Sequence, residues 1–190
     1  MASRTTRLTD LVHVARPRHW TKNIFVLAPL VFAEEGLPAK VSLALTAFGA
    51  FCLLSSAVYF FNDAIDAARD RAHPKKRHRP IAAGRITSSF AFLMASVLAV
   101  TALVGGALAV SWQFAVVGAL YVANNIVYST WLKDKAIADV MSIAAGFVLR
   151  LVAGAVAIAV TPSAWLIVCG FNVSLLLGFG KRRTEVGLEH

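Results

Sequence analysis

Residues 41–61 read VSLALTAFGAFCLLSSAVYFF, and residues 62–71 continue directly as NDAIDAARDR. The first stretch has 21 residues and no charge, which is enough for an α-helix to cross the ~30 Å hydrocarbon core of a bilayer. The second stretch is polar and carries three carboxylates. The sequence therefore predicts a membrane-spanning helix that brings a group of acidic side chains to the membrane surface.

The composition of the whole chain agrees with this prediction. Hydrophobic residues make up 58% of the 190 residues, charged residues make up 15%, and the mean hydropathy is +0.68. Soluble domains have about 45–50% apolar and about 25% charged residues. Because the chain has too few charges to cover a surface in water, water-soluble enzymes and transcription factors are excluded.

Five further apolar runs accompany the first one. They are continuous and do not alternate, which argues against a transmembrane β-barrel. We predict an all-α, polytopic transmembrane helix bundle with about six spans, and a single domain over residues 1–190. The predicted spans are Ile24–Ala33, Val41–Phe61, Phe90–Val110, Phe114–Leu132, Ala136–Val160 and Ala164–Gly180.

Basic residues are distributed unevenly between the two sides of this bundle. Of the 19 Lys and Arg residues, 17 fall on the side that holds the N-terminal segment 1–23 and the loop 62–88. The positive-inside rule places this side in the cytoplasm. The net charge of +9 then follows from topology, and no nucleic-acid partner is needed. We expect a multi-pass protein of the plasma membrane with a cytoplasmic active site.

Asp63, Asp66 and Asp70 are spaced so that they share one face of a helix. Three neighbouring carboxylates repel one another unless a cation lies among them. Such hard oxygen ligands suit Mg²⁺, which binds through one or two carboxylates and completes its shell with substrate phosphates. The alternative is a solvated helix end with ordinary charges. We favour the metal site because charges close to an apolar span usually mark function.

The loop that follows contains many hydrogen-bond donors, and its prolines break any helix. Donors beside a carboxylate–metal site suit a polyphosphate substrate. If a metal-bound diphosphate occupies the carboxylates, the number of these donors also implies a second anionic group on the same substrate. The alternative is that these charges set the topology and contact lipid head groups. The donors are His73, Lys75, Lys76, Arg77 and Arg79.

Arg150 lies inside the fifth predicted span. An arginine there costs at least ~2.5 kcal/mol unless it faces a polar cavity or pairs with an anion. Asp139 is three helical turns away, so a substrate phosphate or one of the aspartates in 62–71 is the better partner. The alternative is a structural ion pair inside the bundle.

Further polar residues are expected to face the same cavity. Amides and a phenol at membrane depth seldom face lipid, so we place that face of the fourth span toward the cavity. Arg18 is expected to anchor the flank of the first span. The residues expected at the cavity are Arg16, Lys22, Asn23, Asn124, Asn125 and Tyr128.

These stretches resemble a known family. The pattern Asn62-Asp63-x-x-Asp66-x-x-x-Asp70, followed by Arg79-Pro80-Ile81-x-x-Gly84, is similar to the first Asp-rich motif of the UbiA-type intramembrane prenyltransferase superfamily. Residues 16–23 (RPRHWTKN), residues 70–84 (DRAHPKKRHRPIAAG) and Gly180-Lys181-Arg182 resemble its decaprenyl-phosphate phosphoribosyltransferase branch. The resemblance extends over residues 16–185.

The resemblance implies transfer of 5-phosphoribose from phosphoribosyl diphosphate to a polyprenyl (decaprenyl) phosphate, in the synthesis of a cell-wall arabinan precursor. It implies Mg²⁺ on the diphosphate, held by Asp63, Asp66 and Asp70. The implied catalytic residues also include Lys22 and Arg150. The implied substrate-binding residues are Arg16, Asn62, His73, Lys75, Lys76, Arg77, Arg79, Tyr128, Lys133 and Lys181. Family members have more helices than six, so a truncated or shortened relative is expected. The further partners that we expect are membrane lipids and a second copy of the chain.

Two alternatives stay open. A prenyltransferase that moves a prenyl chain from a prenyl diphosphate to an aromatic acceptor would carry a second Asp-x-x-x-Asp motif, and only Asp134 and Asp139 stand in that region. A non-catalytic membrane subunit or transporter on the same scaffold would not need the acidic motif or the basic loop. Both therefore rank below the phosphoribosyl transferase.

Overall fold

The computed structural model describes residues 8–33, 37–133 and 135–186. All regular elements in these ranges are helical, which confirms the predicted all-α class. Short 3-10 helices cover Pro17–Val26, Ala28–Phe32 and Lys76–His78, and one π-helical turn, Tyr128–Leu132, extends α5. The α-helices are α1 (Leu8–Ala15), α2 (Leu37–Ile65), α3 (Ala67–Ala72), α4 (Ser88–Ala109), α5 (Trp112–Val127), α6 (Ala136–Ala157) and α7 (Ala164–Val186).

Among the residues that the structure describes, four helices are long and apolar enough to cross a membrane, and they coincide with the four longest predicted spans. They are Leu37–Ile65, Ser88–Ala109, Trp112–Leu132 and Ile137–Ala157. The sixth predicted span corresponds to α7, whose apolar part, Ala164–Leu176, is shorter. The first predicted span is two 3-10 helices, with Pro29 in the first turn of the second one. Proline lacks the N–H group that a continuous helix needs.

Residues 17–32, which we call the 3-10 segment, lie against the core of the bundle. Val26 is buried in one apolar cluster with Phe51 of α2 and Phe114 of α5. Its carbonyl oxygen approaches α6 so closely that a Cβ added at Gly154 would overlap with it. The position of the 3-10 segment therefore requires glycine at residue 154.

A second apolar cluster holds α1 against the end of α2. Val14 of α1 is fully buried with Ile81 and Ile86, which come from the loop between α3 and α4. The ion pair between Arg85 Nε and Asp10 Oδ1, 2.9 Å long, ties the same loop to α1. Both α1 and this loop are thus fixed beside the acidic residues at the end of α2.

Candidate active site

Two carboxylates at the end of α2 and in α3 converge on one guanidinium nitrogen. Arg79 Nη1 lies 3.2 Å from Asp63 Oδ1 and 2.8 Å from Asp70 Oδ2. Both aspartates are nearly buried, with 4% and 3% of their surface exposed. Arg16 Nη2 also contacts Asp63, at 2.7 Å from Oδ1 and 3.0 Å from Oδ2. Two buried carboxylates are therefore balanced by two arginines, and we call Asp63 and Asp70 together the acidic cluster.

Asp66 faces a different cation, because it turns toward the end of α5. Its Oδ1 pairs with Lys133 Nζ. Next to it, Asn62 Oδ1 accepts a hydrogen bond from Ser129 Oγ in the π-helical turn. The side chain of Asp66 thus lies apart from those of Asp63 and Asp70 in this structure, and the expectation that all three hold one metal ion stays a prediction. The residues that are seven positions apart converge, whereas the one between them packs against another helix.

Asp63 and Asp70 fit a divalent cation by the kind and the convergence of their oxygens. Mg²⁺ takes hard oxygen ligands and is commonly held by one or two carboxylates. The two oxygens already share one positively charged neighbour, Arg79 Nη1. In the part of the chain that the structure describes, no three His, Cys, Asp or Glu side chains are grouped as metal ligands. Substrate phosphates and water would have to complete the shell.

A cavity of about 570 Å³ extends into the bundle from Arg16, which contacts Asp63. We call it the polar cavity. Four basic side chains line it, and its described lining includes no acidic residue. They are Arg16, His19, Lys22 and Arg150. This distribution of charge suits an anionic ligand. The uncharged polar lining consists of Tyr59, Asn62, Tyr121, Asn125, Tyr128 and Ser142.

Arg150 is held by neutral groups from three elements. Its Nε donates to Asn23 Oδ1 at 2.9 Å, its Nη1 to the Gly146 carbonyl oxygen at 2.8 Å, and its Nη2 to the Tyr121 hydroxyl at 2.9 Å. Its guanidinium carbon lies 4.7 Å from the centre of the Tyr121 ring. Two of the five guanidinium N–H groups remain for a ligand.

The expectation that an aspartate from 62–71 partners Arg150 is wrong. No carboxylate contacts Arg150 among the residues described, because the amide, carbonyl and hydroxyl groups already surround it. The alternative of a structural ion pair between Arg150 and an acidic side chain is therefore also wrong within the described residues. The expected contact with a substrate phosphate stays a prediction.

Most of the donors predicted in the loop after α3 lie at the surface. The 3-10 helix Lys76–His78 turns the chain back, and Arg79, the next residue, reaches Asp63. The others are exposed, and none of them lines the polar cavity or pairs with a carboxylate in the described ranges. These surface residues are His73, Lys75, Lys76 and Arg77.

Their observed partners are local. His73 Nδ1 accepts the backbone N–H groups of Lys75 and Lys76, at 3.2 and 3.3 Å. Arg77 Nε donates to His78 Nε2 at 3.4 Å. Proximity in sequence to the aspartates thus does not bring these side chains to the acidic cluster.

Two predicted residues lie outside what the structure describes. Asp134 falls between the described ranges, and the side chain of Lys181 near the end of α7 is likewise not described. The expected substrate contact of Lys181 therefore stays a prediction.

Two tyrosines of the polar cavity escaped the sequence analysis. Tyr59 precedes Asp63 by one helical turn, and Tyr121 precedes Asn125 by one turn. Residues at this spacing share a helix face, so the polar residues already identified contained the information needed to find both tyrosines.

Comparisons with known proteins place this geometry in context. The profile of the UbiA prenyltransferase family matches residues 23–181. The chain is 41% identical over 194 residues to the decaprenyl-phosphate phosphoribosyltransferase of Mycolicibacterium smegmatis. The aligned region covers 95% of this chain and 58% of that protein. The chain is 38% identical over 189 residues to the protein of the same name from Mycobacterium tuberculosis, covering 95% and 61%. The chain thus spans about three fifths of the length of these relatives.

The fold is also shared with a solved structure. A UbiA homologue from Archaeoglobus fulgidus, bound to DMAPP and Mg²⁺, superposes with a TM-score of 0.72 at 20% identity. The match covers 87% of this chain and 60% of the homologue. At this identity the similarity concerns the arrangement of the helices.

Proposed function

Because this chain belongs to the UbiA prenyltransferase family, we propose that it transfers 5-phosphoribose from phosphoribosyl diphosphate to a polyprenyl phosphate and releases diphosphate. Its family and its four apolar helices make it an integral membrane protein. The two relatives described above, both named decaprenyl-phosphate phosphoribosyltransferase, support this choice of reaction.

The observation that carries the proposal is the separation of charge in the site. Asp63 and Asp70 converge beside the polar cavity, whereas the described lining of that cavity includes the cations Arg16, Lys22 and Arg150 and no carboxylate. A diphosphate with a bound metal ion requires the first arrangement, and further phosphate groups require the second. A reaction in which both the donor and the acceptor carry phosphate would use both arrangements.

Asp63 and Asp70 would hold Mg²⁺, since their oxygens converge. When bound there, Mg²⁺ would neutralise charge on the departing diphosphate. Arg79 and Lys133 contact the aspartates and provide N–H donors for the diphosphate oxygens. The family structure with Mg²⁺ supports this cofactor.

In the proposed reaction, the bond between ribose C1 and a diphosphate oxygen breaks, and the electron pair leaves with that oxygen. An oxygen of the lipid phosphate forms the new bond to C1. Because the lipid phosphate is already ionised at neutral pH, no general base is needed. Asn62 and Tyr128, which line the polar cavity, would orient the reactants, so the rate depends on positioning and charge stabilisation.

The proposal includes the location of the protein. Residues 1–190 would form one transmembrane domain in the plasma membrane, with residues 1–23 and 62–88 in the cytoplasm. The distribution of Lys and Arg in the sequence supports this orientation. The soluble donor would then reach the acidic cluster from water, and the apolar chain of the acceptor would stay in the bilayer.

The test uses the purified chain in lipid nanodiscs with Mg²⁺, ribose-labelled phosphoribosyl diphosphate and a polyprenyl phosphate. We expect the label to enter the lipid fraction and one diphosphate to be released per transferred ribose. The Lys135→Gln variant is a suitable control, because this exposed residue lies outside the polar cavity.

The same preparation is assayed with a prenyl diphosphate and an aromatic acceptor. Prenyl transfer together with no labelling by phosphoribosyl diphosphate would contradict the proposal and support the prenyltransferase alternative. Absence of both reactions under conditions in which an active relative transfers ribose would contradict a catalytic role for this chain.

A further inference from the structure

A second cavity lies at the turn between α1 and the 3-10 segment, and Arg79 also lines it. It has a volume of about 790 Å³ and contains five basic side chains in its lining. We call it the basic vestibule. Its described lining includes no acidic residue. The basic residues are His13, Arg16, Arg18, His19 and Arg79.

The basic vestibule and the polar cavity meet at two residues, since Arg16 and His19 line both. Arg16 and Arg79 also contact the carboxylate of Asp63. One layer of guanidinium groups therefore separates the vestibule from the acidic cluster. A small ligand that reaches the carboxylates with one end would place its other end in the vestibule.

The vestibule is shaped by a firmly anchored turn. The Ser56 hydroxyl donates to the Ala15 carbonyl oxygen at 3.1 Å and accepts the indole N–H of Trp20 at 3.1 Å. Between these two anchors, Arg16 has a φ of 52°, in the left-handed region that non-glycine residues adopt only when surrounding contacts impose it. The turn thus holds Arg16 at Asp63 while residue 18 remains exposed to the vestibule.

The charges of the vestibule are not all balanced by the acidic cluster. Arg16 and Arg79 pair with Asp63 and Asp70. No carboxylate contacts Arg18 within the described ranges. The single acidic residue of α1, Asp10, pairs with Arg85. Arg18 therefore supplies a positive charge that remains available to a ligand.

We propose that the basic vestibule binds a phosphate monoester, and that in the proposed reaction this group is the 5-phosphate of the donor. The second statement rests on the proposed function. The diphosphate at ribose C1 would lie at the acidic cluster, and the ribose would pass between Arg16 and Arg79. This assigns the second anionic group of the donor to the α1 turn and Arg79, whereas Lys76 and Arg77 face solvent.

The site also distinguishes classes of donor. A prenyl diphosphate has an apolar chain where phosphoribosyl diphosphate has a phosphate group, and it would leave Arg18 without an anionic partner. Arg18 is therefore expected to determine donor specificity, because its guanidinium can form a charge-assisted hydrogen bond only with a donor that carries a phosphate group besides the diphosphate.

The binding test uses the full chain in phosphatidylcholine nanodiscs, with ribose 5-phosphate, inorganic diphosphate plus Mg²⁺, and phosphoribosyl diphosphate plus Mg²⁺ as probes. Arg18→Gln should weaken binding of both ribose phosphates by about tenfold or more, the value of one hydrogen bond to a charged group. Binding of inorganic diphosphate should change less than about twofold. Arg18→Lys should restore part of the affinity, and Lys135→Gln removes one exposed charge outside both cavities as the control.

Equal binding of ribose 5-phosphate by the wild type and Arg18→Gln would overturn the proposal. A lipid headgroup is the other source of a phosphate, so binding is repeated in nanodiscs that contain phosphatidylglycerol. Competition by this lipid that disappears in Arg18→Gln would assign the vestibule to the bilayer and overturn the donor assignment. An effect of Arg18 that is the same in both lipids supports it.

The ribose-transfer assay separates this proposal from the proposed function. If the wild type transfers no ribose but binds ribose 5-phosphate through Arg18, the function fails and the phosphate site stands. If Arg18→Gln transfers ribose with an unchanged KM for phosphoribosyl diphosphate, the vestibule proposal fails and the function stands.

Discussion

The acidic cluster and the surroundings of Arg150 hold arginine in opposite ways. At the end of α2, Arg16 and Arg79 face the buried carboxylates of Asp63 and Asp70. Deeper in the bundle, Arg150 is held by an amide, a carbonyl and a phenol. The acidic cluster can exchange one charged partner for another, whereas the neutral partners of Arg150 leave its positive charge uncompensated.

This difference separates two tasks of the same side-chain type. An ion pair near the membrane surface is stabilising only while both charges are present, so an arriving anion or cation competes for its members. Neutral hydrogen-bond partners satisfy Arg150 without cancelling its charge, which offsets the ~2.5 kcal/mol or more that an arginine costs at membrane depth. The first arrangement suits ligand exchange, and the second provides a permanent positive potential.

The largest expected effect is at the acidic cluster. Asp63→Asn removes a carboxylate that two arginines contact and that would hold the metal ion, so ribose transfer should fall by about 100-fold or more. Asp66→Asn should cost less, because this carboxylate pairs separately with Lys133. Initial rates measure both effects, and size-exclusion chromatography confirms folding. Loss of less than about threefold in Asp63→Asn would break the proposed division of roles.

The same substitution of one arginine in each region compares the two regions directly. Arg150→Gln should lower the free energy of unfolding by about 2–3 kcal/mol, because buried polar partners lose their hydrogen bonds. Arg79→Gln should lower it by about 3 kcal/mol or more, because the buried carboxylate of Asp70 loses the cation that contacts it, while it also slows transfer. Equilibrium unfolding in mixed micelles provides the free energies. A larger destabilisation by Arg150→Gln than by Arg79→Gln would show that the two regions do not differ as described.

A smaller change tests one contact of Arg150. Tyr121→Phe removes the hydroxyl that accepts from Nη2 at 2.9 Å and keeps the ring, so it should destabilise the protein by about 1.5 kcal/mol. Tyr59→Phe is the matched control, because the structure shows no hydrogen bond of the Tyr59 hydroxyl within the described residues. Unfolding midpoints in the same micelles measure both. A control as destabilised as Tyr121→Phe would contradict the role of the hydroxyl.

The smallest expected effect concerns His19, between the two cavities. Burial, and then the positive charges of Lys22 and Arg16, lower the pKa of His19 below its usual 6.5. Below pH 6.5 the unfolded chain therefore binds a proton before the folded protein does, and stability should decrease as the pH falls toward the lowered pKa. His19→Gln should flatten this part of the curve, measured by thermal unfolding between pH 5 and 8. An unchanged slope would assign the dependence to other groups.

The spans were predictable because lipid imposes one requirement on every residue of a helix. The apolar stretch 41–61 identified α2, whose observed bounds are Leu37–Ile65, and the same holds for α4, α5 and α6. The 3-10 segment was not recognised as such, since its backbone geometry depends on contact with α6 at Gly154. Composition alone contains no information about that contact.

The site was predictable where the contacting residues are close in sequence. Asp63 and Asp70 are seven residues apart, and they converge although α2 ends between them at Ile65. The loop between α3 and α4 determines which basic residue contacts these two aspartates. The sequence does not distinguish one basic residue of this loop from its neighbours. Arg79 reaches the carboxylates and Arg77 does not. The neutral partners of Arg150 come from distant elements, so no local pattern predicts them.

The hydrogen bond between Arg150 and Asn23 has a consequence for how the chain is assembled during synthesis. The two residues are 127 positions apart, which corresponds to roughly 6–25 s of translation at about 5–20 residues per second. Throughout this interval the 3-10 segment exists without α6, against which it packs at Gly154. Although this segment leaves the ribosome early, it reaches its final place only after most of the bundle has been made.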